Sequence, residues 1–399
     1  MTFQTHALRA AALLTLGSAL MPAHATNGYF PHGFGLKAKG MGGVAVALTH
    51  DAFAGVNNPA SAAYAGNRWD IGGEVFMPTR NASVGGSPVV ESAKDAFLIP
   101  EFGYNVGLSD KLGVGITVYG NGGMNTQYPP FPDNSNLFGG QGKLGVNLMQ
   151  LIVAPTVAYK VTDNHTFGVS PLLVYQQFEA YGLQAFGPAL NPNAGKDSST
   201  GLGVRLGYMG KLGEKMTVGA SYSPKINMSR FDKYATLFAE NGDFDIPENY
   251  ALGVAFQVTP AVLVAMDYSR INYSDVKSIG NSIMDAEPGF GWKNVNVFKL
   301  GVQWQMNSQW TLRAGVNKGT NPVTENEAFF NVLAPGVIKT HITFGGTYAK
   351  SANEELSFAV WHGKSNSVSN AAALTPMGAM PVSLGMKQNG FGLQYSRKF

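Results

Sequence analysis

The chain has 399 residues, of which 13% are charged and 50 are glycine, against usual shares of about 25% and about 7% in a soluble domain. Its net charge of +3 is too small and too scattered to suggest a nucleic-acid partner, and the lack of cysteine excludes a disulfide framework and a thiolate metal site. Mean hydropathy is near zero, and beyond the first residues no apolar run approaches the length of a helical span, so low charge here points to surfaces that alternate.

The chain opens with Arg9, an apolar run from Ala10 to Met21 and then "PAHA", in which Ala23 and Ala25 have the small-x-small spacing that a signal peptidase cuts. The run is too short to span a membrane, so residues 1–25 are expected to be a removed secretory signal, with the mature chain starting at Thr26. Residues 26–66 follow no strand period. They are rich in glycine (Gly33, Gly35, Gly40, Gly42, Gly43 and Gly55) and contain the small apolar run "GGVAVAL", a composition unlike that of disordered segments. A compact body fitting inside a barrel accounts for them better than a loose tail. Within it, Asn58-Pro59-Ala60 reads as a rigid corner, because Asn bonds backbone groups and Pro fixes φ.

From residue 67 onward the sequence alternates. Phe298, Leu300, Val302, Trp304 and Met306 fall on one face, with Lys299, Gly301, Gln303 and Gln305 on the other. The pattern predicts about fourteen strands, near 67–83, 96–108, 112–128, 143–161, 165–182, 200–212, 215–230, 247–258, 262–275, 294–306, 309–319, 338–350, 355–365 and 387–399. Tight turns at 109–111, 162–164, 213–215, 259–261, 307–309 and 352–354 alternate with long polar or Pro/Gly-rich loops. Short turns on one rim and long loops on the other describe a transmembrane antiparallel β-barrel of the outer membrane.

Three further stretches carry functional readings. In the third long strand, Tyr119 is followed by Gly120, Asn121, Gly122 and Gly123, a run that weakens a strand and permits a bulge. Between the fifth and sixth long strands lie Leu183, Phe186 and Leu190. Between the seventh and eighth, Phe231, Tyr234, Leu237 and Phe238 have helical spacing, one apolar face of a short helix. These loops could form an apolar catch or simply pack on each other. Finally, Phe391, Leu393, Tyr395 and the terminal Phe399 share a face of the last strand.

"GFGLKAKGMGGVAVALTHDAFAGVNNPA" resembles the N-terminal hatch of the FadL/TodX-type outer-membrane transporters of long-chain fatty acids and aromatic hydrocarbons. The likeness rests on Gly35, Ala38, Gly40, Gly43, Ala45, Asp51, Ala52 and Asn58-Pro59-Ala60. "VYGNGGMNTQY" is similar to the family's interrupted strand, and later hairpins extend the resemblance along nearly the whole mature chain. It implies an all-β barrel of about fourteen strands (67–399) plugged by a hatch (26–66), in a Gram-negative outer membrane. Its implied work is uptake of long-chain fatty acids, or alternatively of aromatic or other neutral hydrocarbons. Ligand would be caught by the two loops, passed to a pocket gated by the hatch (Gly40, Gly43, Asp51, Asn58, Pro59, Ala60), and released laterally at a kink formed by Tyr119 to Gly123. The corner at Asn58 is expected to seat the hatch near that kink. Further implied partners are outer-membrane lipids, lipopolysaccharide and, through the Phe399 strand, the barrel-assembly machinery; the protein is expected to be monomeric.

Where fatty acid transporters hold the carboxylate with basic residues, the fifth strand here offers Gln176, Gln177 and Glu179. Arg205, Lys225, Arg230, Lys293 or Arg313 remain as substitutes. No nucleophile elbow or metal-ligand histidine pairing supports a lipid hydrolase, and neither cofactor nor metal is expected. A barrel of this kind could also be a general porin, or a structural or adhesin barrel; a plugged lumen argues against the porin.

Overall fold

In the computed structural model, residues 27–184 and 194–399 are described, and they form a closed barrel. Its strands are β1 (Arg68–Val84), β2 (Val90–Glu91), β3 (Phe97–Gly107), β4 (Leu112–Asn125), β5 (Gly145–Lys160), β6 (His165–Tyr181), β7 (Asp197–Leu212), β8 (Met216–Ser223), β9 (Asn249–Thr259), β10 (Val262–Ile271), β11 (Val295–Gln305), β12 (Trp310–Gly319), β13 (Thr340–Ala349), β14 (Glu354–Ala373) and β15 (Met380–Lys398). Apart from β2, a two-residue piece paired only with β1, these are the fourteen strands that the alternation predicts. Each pairs antiparallel with its neighbours, and β1 closes on β15 from Arg68 opposite Lys398 to Val84 opposite Val382. Closure satisfies the backbone without an end strand, which a lipid surround demands.

Three strands differ most from expectation in length. β8 stops at Ser223, where Pro224 lacks the N–H to continue. β14 and β15 run well past the predicted 365 and begin before 387, building a hairpin that rises above its neighbours.

The outward faces are apolar, with Phe298, Leu300, Val302 and Trp304 of β11 all exposed. Near the short-turn rim, outward aromatic pairs form a girdle: Trp69 with Tyr395 (5.3 Å), Trp310 with Tyr348 (5.1 Å), and Tyr104 with the terminal Phe399 (5.8 Å). The core lies inside. Residues 27–62 run through the lumen and are almost entirely buried, and above them loop residues such as Phe290, Phe330 and Leu333 fill the mouth on the long-loop rim.

Candidate functional site

The barrel wall parts at one place. β3 and β4 pair only from Phe102–Val118 to Gly107–Gly113, toward the short-turn rim. Above this, Phe97 to Glu101 pair with β1 alone, while Tyr119 to Asn125 pair with β5 alone. The segments that precede β3 and follow β4 meet beyond the parting, where Ala93 N donates to Gln127 O at 2.8 Å. The result is a window in the wall. Its β4 edge carries the predicted glycine run, and the β4–β5 register slips between Gly120 and Gly122, leaving Asn121 as the extra residue of a bulge. Gly122 has φ +138°, and a Cβ there would lie 1.9 Å from Tyr29 O. Only glycine fits.

Tyr29 closes the window from inside. Its carbonyl accepts from Gly123 N at 3.3 Å, and its ring packs against Phe30, Tyr273, Trp292 and Phe244. The short turn around it, in which Asn27 N donates to Phe30 O, is gripped by the hydroxyl of Tyr273 from the β10–β11 loop. That hydroxyl accepts from Tyr29 N (3.1 Å) and Phe30 N (3.2 Å) and donates to Asn27 O (2.6 Å).

Sequence reasoning missed a chain of amides that starts at the bulge. Asn121 Nδ2 donates to Gln150 Oε1 (3.0 Å), Gln150 Nε2 to Gln176 Oε1 (3.0 Å), and Gln176 Nε2 to Phe244 O (2.9 Å) in the β8–β9 loop. All three side chains are buried. The signal that could have found it is a set of inward-facing amides at matching positions on neighbouring strands; in sequence, Gln176 stands out only as the place of a missing cation.

The N-terminal segment is tied to the wall by directional bonds. Lys37 Nζ meets Glu355 and Lys39 Nζ meets Glu74, each at 2.5 Å, and both lysines are buried. Asp267 Oδ2 accepts from Ala45 N and Val46 N, and Thr343 Oγ1 from Gly42 N. Gly40 packs on the backbone of Gly345, and Gly43, at φ +80°, passes so close to His32 O that a Cβ would stand 1.8 Å from it. Asp51 is buried beside the Arg68–Asp70 pair, and Asp70 also accepts from Ala52 N.

Asn58 is a corner, but not where the sequence suggests. Its Nδ2 donates to Val46 O (2.7 Å) and Tyr208 O (2.8 Å), and its Oδ1 caps the 3-10 turn Pro59–Ala63 by accepting from Ala60 N (3.1 Å). Pro59 and Ala60 lie against Gly168 and Gly207. The corner therefore seats on β6 and β7, not beside the bulge. Its partners are backbone carbonyls, which leave no trace in the sequence.

The loop residues also need correction. Phe231 to Phe238 do not form one helix: a single 3-10 turn, Asp232–Tyr234, is followed by irregular turns. Phe231, Tyr234, Leu237 and Phe238 nonetheless come together, buried, and the three aromatic rings surround Phe178 at centroid distances of 4.7 to 5.8 Å. Leu183 joins the same cluster; Phe186 and Leu190 lie outside the described residues. In this loop Asp243 has its carboxyl raised to about 7 by burial and by the hydrogen bond and charge of neighbouring Asp245.

Between the N-terminal segment and β7–β11 lies a cavity of about 80 Å³. Phe30, Phe34, Val46 and Val56 give it an apolar side, and Arg205, Arg270, Lys299 and Asp267 a charged one. Arg205 bonds Val56 O and Asn249, while its Nε has no partner. The other proposed cations lie elsewhere: Lys225 pairs with Asp245, Arg230 and Lys293 are exposed, and Arg313 bonds Gln303 and Thr347. A benzene-sized occupant takes about 150 Å³, so passage of such a solute requires movement.

Residues 35–399 match the family described as outer membrane protein transport protein (OMPP1/FadL/TodX). Outer membrane protein P1 of Haemophilus influenzae is 22% identical over 331 residues, 70% of this chain and 69% of its own. Among solved structures, the Pseudomonas putida toluene transporter TodX aligns with a TM-score of 0.70 at 21% identity, covering 92% of this chain and 99% of its own. A Pseudomonas aeruginosa FadL homologue aligns at 0.72 and 15% identity, covering 93% and 100%.

Proposed function

The chain belongs to the OMPP1/FadL/TodX family of outer membrane transport proteins, and on that premise we propose that it takes up hydrophobic compounds and releases them sideways through the window between β3 and β4. The observation that carries this reading is the pairing itself. The strands part beside an upper lumen lined with aromatic rings, while the lower lumen is filled by a segment fixed with buried charges. An apolar solute finds favourable contacts above and costly desolvation below, so the wall is its cheaper route.

In this reading the segment 27–66 is the hatch. Solute is caught among the long extracellular loops, enters the aromatic cluster around Phe178, and displaces the Tyr29 turn that closes the window. The chain's own side chains supply contact and gating, with no chemical step. Neutral aromatic hydrocarbons suit the aromatic lining, and toluene is what TodX is named for carrying. Long-chain fatty acids are the second reading, favoured by Arg205, which lines the cavity and whose buried Nε has no partner.

Two variants test the route. Gly122→Trp and Gly123→Trp are expected to abolish cellular uptake of labelled toluene and oleate, with heat-modifiable, folded barrels still present in the outer membrane. Normal uptake by folded variants refutes lateral release. Arg205→Gln then separates the solutes: loss of oleate uptake alone supports the fatty acid reading, and unchanged uptake of both supports neutral hydrocarbons. Large steady conductance of the parent protein in planar bilayers would instead indicate a general porin.

A further inference from the structure

The outside of the barrel carries a feature that transport leaves unused. On the extracellular half of β12 to β15 and β1, lysines line up across the strands. Lys318 stands opposite Thr340, and Lys387 opposite Thr79. Between them Gly363 faces His341 on one side and Gln388 on the other, and the register slip that follows puts Lys364 and Ser365 opposite Lys387. The three lysines therefore occupy one row.

All three are exposed, and among the described residues none forms an ion pair. Their height is informative. Below Lys318 the outward side chains are apolar and exposed (Val316, Ile342), and below Lys364 and Lys387 the hydrogen-bonded His362 and Asn389 come first, with exposed Val360 and Phe391 beneath them; above the row the outward residues are polar (Ser367, Ser369, Asn81, Ser83). The row marks the edge of the hydrocarbon belt, where lipid headgroups begin. At the corresponding ends of β6 and β9 the wall carries Glu179 and Glu248.

A second observation sits beneath it. An open apolar groove crosses the outer wall from Lys318 on β12 over β11 and β10 to Leu252 on β9, lined also by Met266, Phe298, Leu300 and Val316. A cation at the end of a groove of this kind fits an amphiphile with phosphate at its head and an acyl chain lying along the wall. Lys318 and Lys387 are three strand spacings apart, roughly 15 Å at about 4.8 Å each. One phosphodiester cannot serve both, but a disaccharide lipid phosphorylated at each end can.

We propose that this face binds the lipid A part of lipopolysaccharide, its phosphates held by Lys318, Lys364 and Lys387 and one acyl chain lying in the groove that starts at Lys318. The site rests on the outer-membrane placement of the barrel and not on the solute it carries. Anionic lipid near a membrane surface gains from each lysine, so loss of all three should weaken binding roughly tenfold or more.

The test uses full-length barrel in phosphatidylethanolamine vesicles doped with lipid A, with phosphatase-treated lipid A, or with phosphatidylglycerol, and reads the lipid retained after detergent extraction by native mass spectrometry. The parent protein is expected to retain lipid A and not the other two. The triple variant Lys318→Gln, Lys364→Gln, Lys387→Gln should lose it while assembling normally, since all three side chains point outward. Val316→Trp, which keeps the lysines and fills the groove, should weaken retention by a smaller factor. Equal retention by the triple variant, equal retention of phosphatidylglycerol, or no retention by the parent protein each overturns the proposal.

Discussion

The upper and lower halves of the lumen are filled by opposite chemistries. Above, Phe178, Phe231, Phe238, Phe244, Tyr273 and Trp292 lie ring against ring, and their cohesion is mostly dispersion and water exclusion. Such contacts have little directionality, and apolar cores tolerate repacking when volume is kept. Below, the N-terminal segment hangs on paired charges and backbone donors, with Lys39 on Glu74, Lys37 on Glu355 and Asp267 on two successive N–H groups. A buried ion pair adds little net stability, but breaking one is expensive. On the proposed route the upper half admits and releases the apolar guest while the lower half stays where it is. Tyr29 sits between the two, at the height of the window.

Removing one partner of a charge pair should disturb this contrast most. Lys39→Met leaves Glu74 buried without that cation and is expected to cost about 3–5 kcal/mol of local stability. Proteolysis within residues 27–66 and new ion conductance in planar bilayers would report it; a closed, protease-resistant variant would show that the lower half is held otherwise. Gln150→Leu breaks the amide chain between the bulge and the β8–β9 loop, at about 1–3 kcal/mol for the amides left unsatisfied. Faster hydrogen exchange at both ends, near residues 121 and 244, is the expected sign, whereas change at one end alone would mean the chain couples nothing.

The apolar half should be more forgiving. Phe178→Leu keeps an apolar side chain in the cluster and is expected to cost less than about 1.5 kcal/mol once neighbours repack, with uptake near that of the parent. A collapse of uptake would show that this half needs the ring's geometry. The smallest effect concerns pH. Asp243, held at about 7, is protonated in the packed loop well above the pH at which an unstructured carboxyl ionises, about 3.9. Its contribution is complete below about pH 4 and is lost as pH rises through 7. Exchange in residues 225–246, corrected for intrinsic rates, should be slower at pH 5.5 than at pH 8, and Asp243→Asn should remove the difference.

The barrel is legible in the sequence because each membrane-facing strand alternates apolar with polar residues and each tight turn punctuates the pattern. Legibility fades where the membrane ends: β14 and β15 read short because, past Lys364, outward apolar residues give way to Ser367 and Ser369. The glycines of the bulge announce it, but the Tyr29 turn that fills it leaves no such mark, since its contacts with Gly123 and Tyr273 come from backbone atoms and residues far along the chain. Helical spacing misleads at Phe231 to Phe238, where the same apolar residues reach Phe178 from a 3-10 turn and bends. Alternation places Lys299 correctly on the inward face of β11, yet its bond to Gly43 O requires the fold.

The ties from Lys37 and Lys39 have one more consequence. β1 and β15 are neighbours in the wall but stand at opposite ends of the strand sequence, so zipping them together closes the largest loop in the molecule. Lys39 bonds Glu74 on β1, Lys37 bonds Glu355 on β14, and Leu36 N donates to Gln394 on β15. A four-residue helix, Leu36–Lys39, thus holds both banks of the seam at once. During assembly it is a clasp: a barrel that closes without it must bury Glu74 and Gln394 with those partners missing, so the sheet is favoured to shut only around its own beginning.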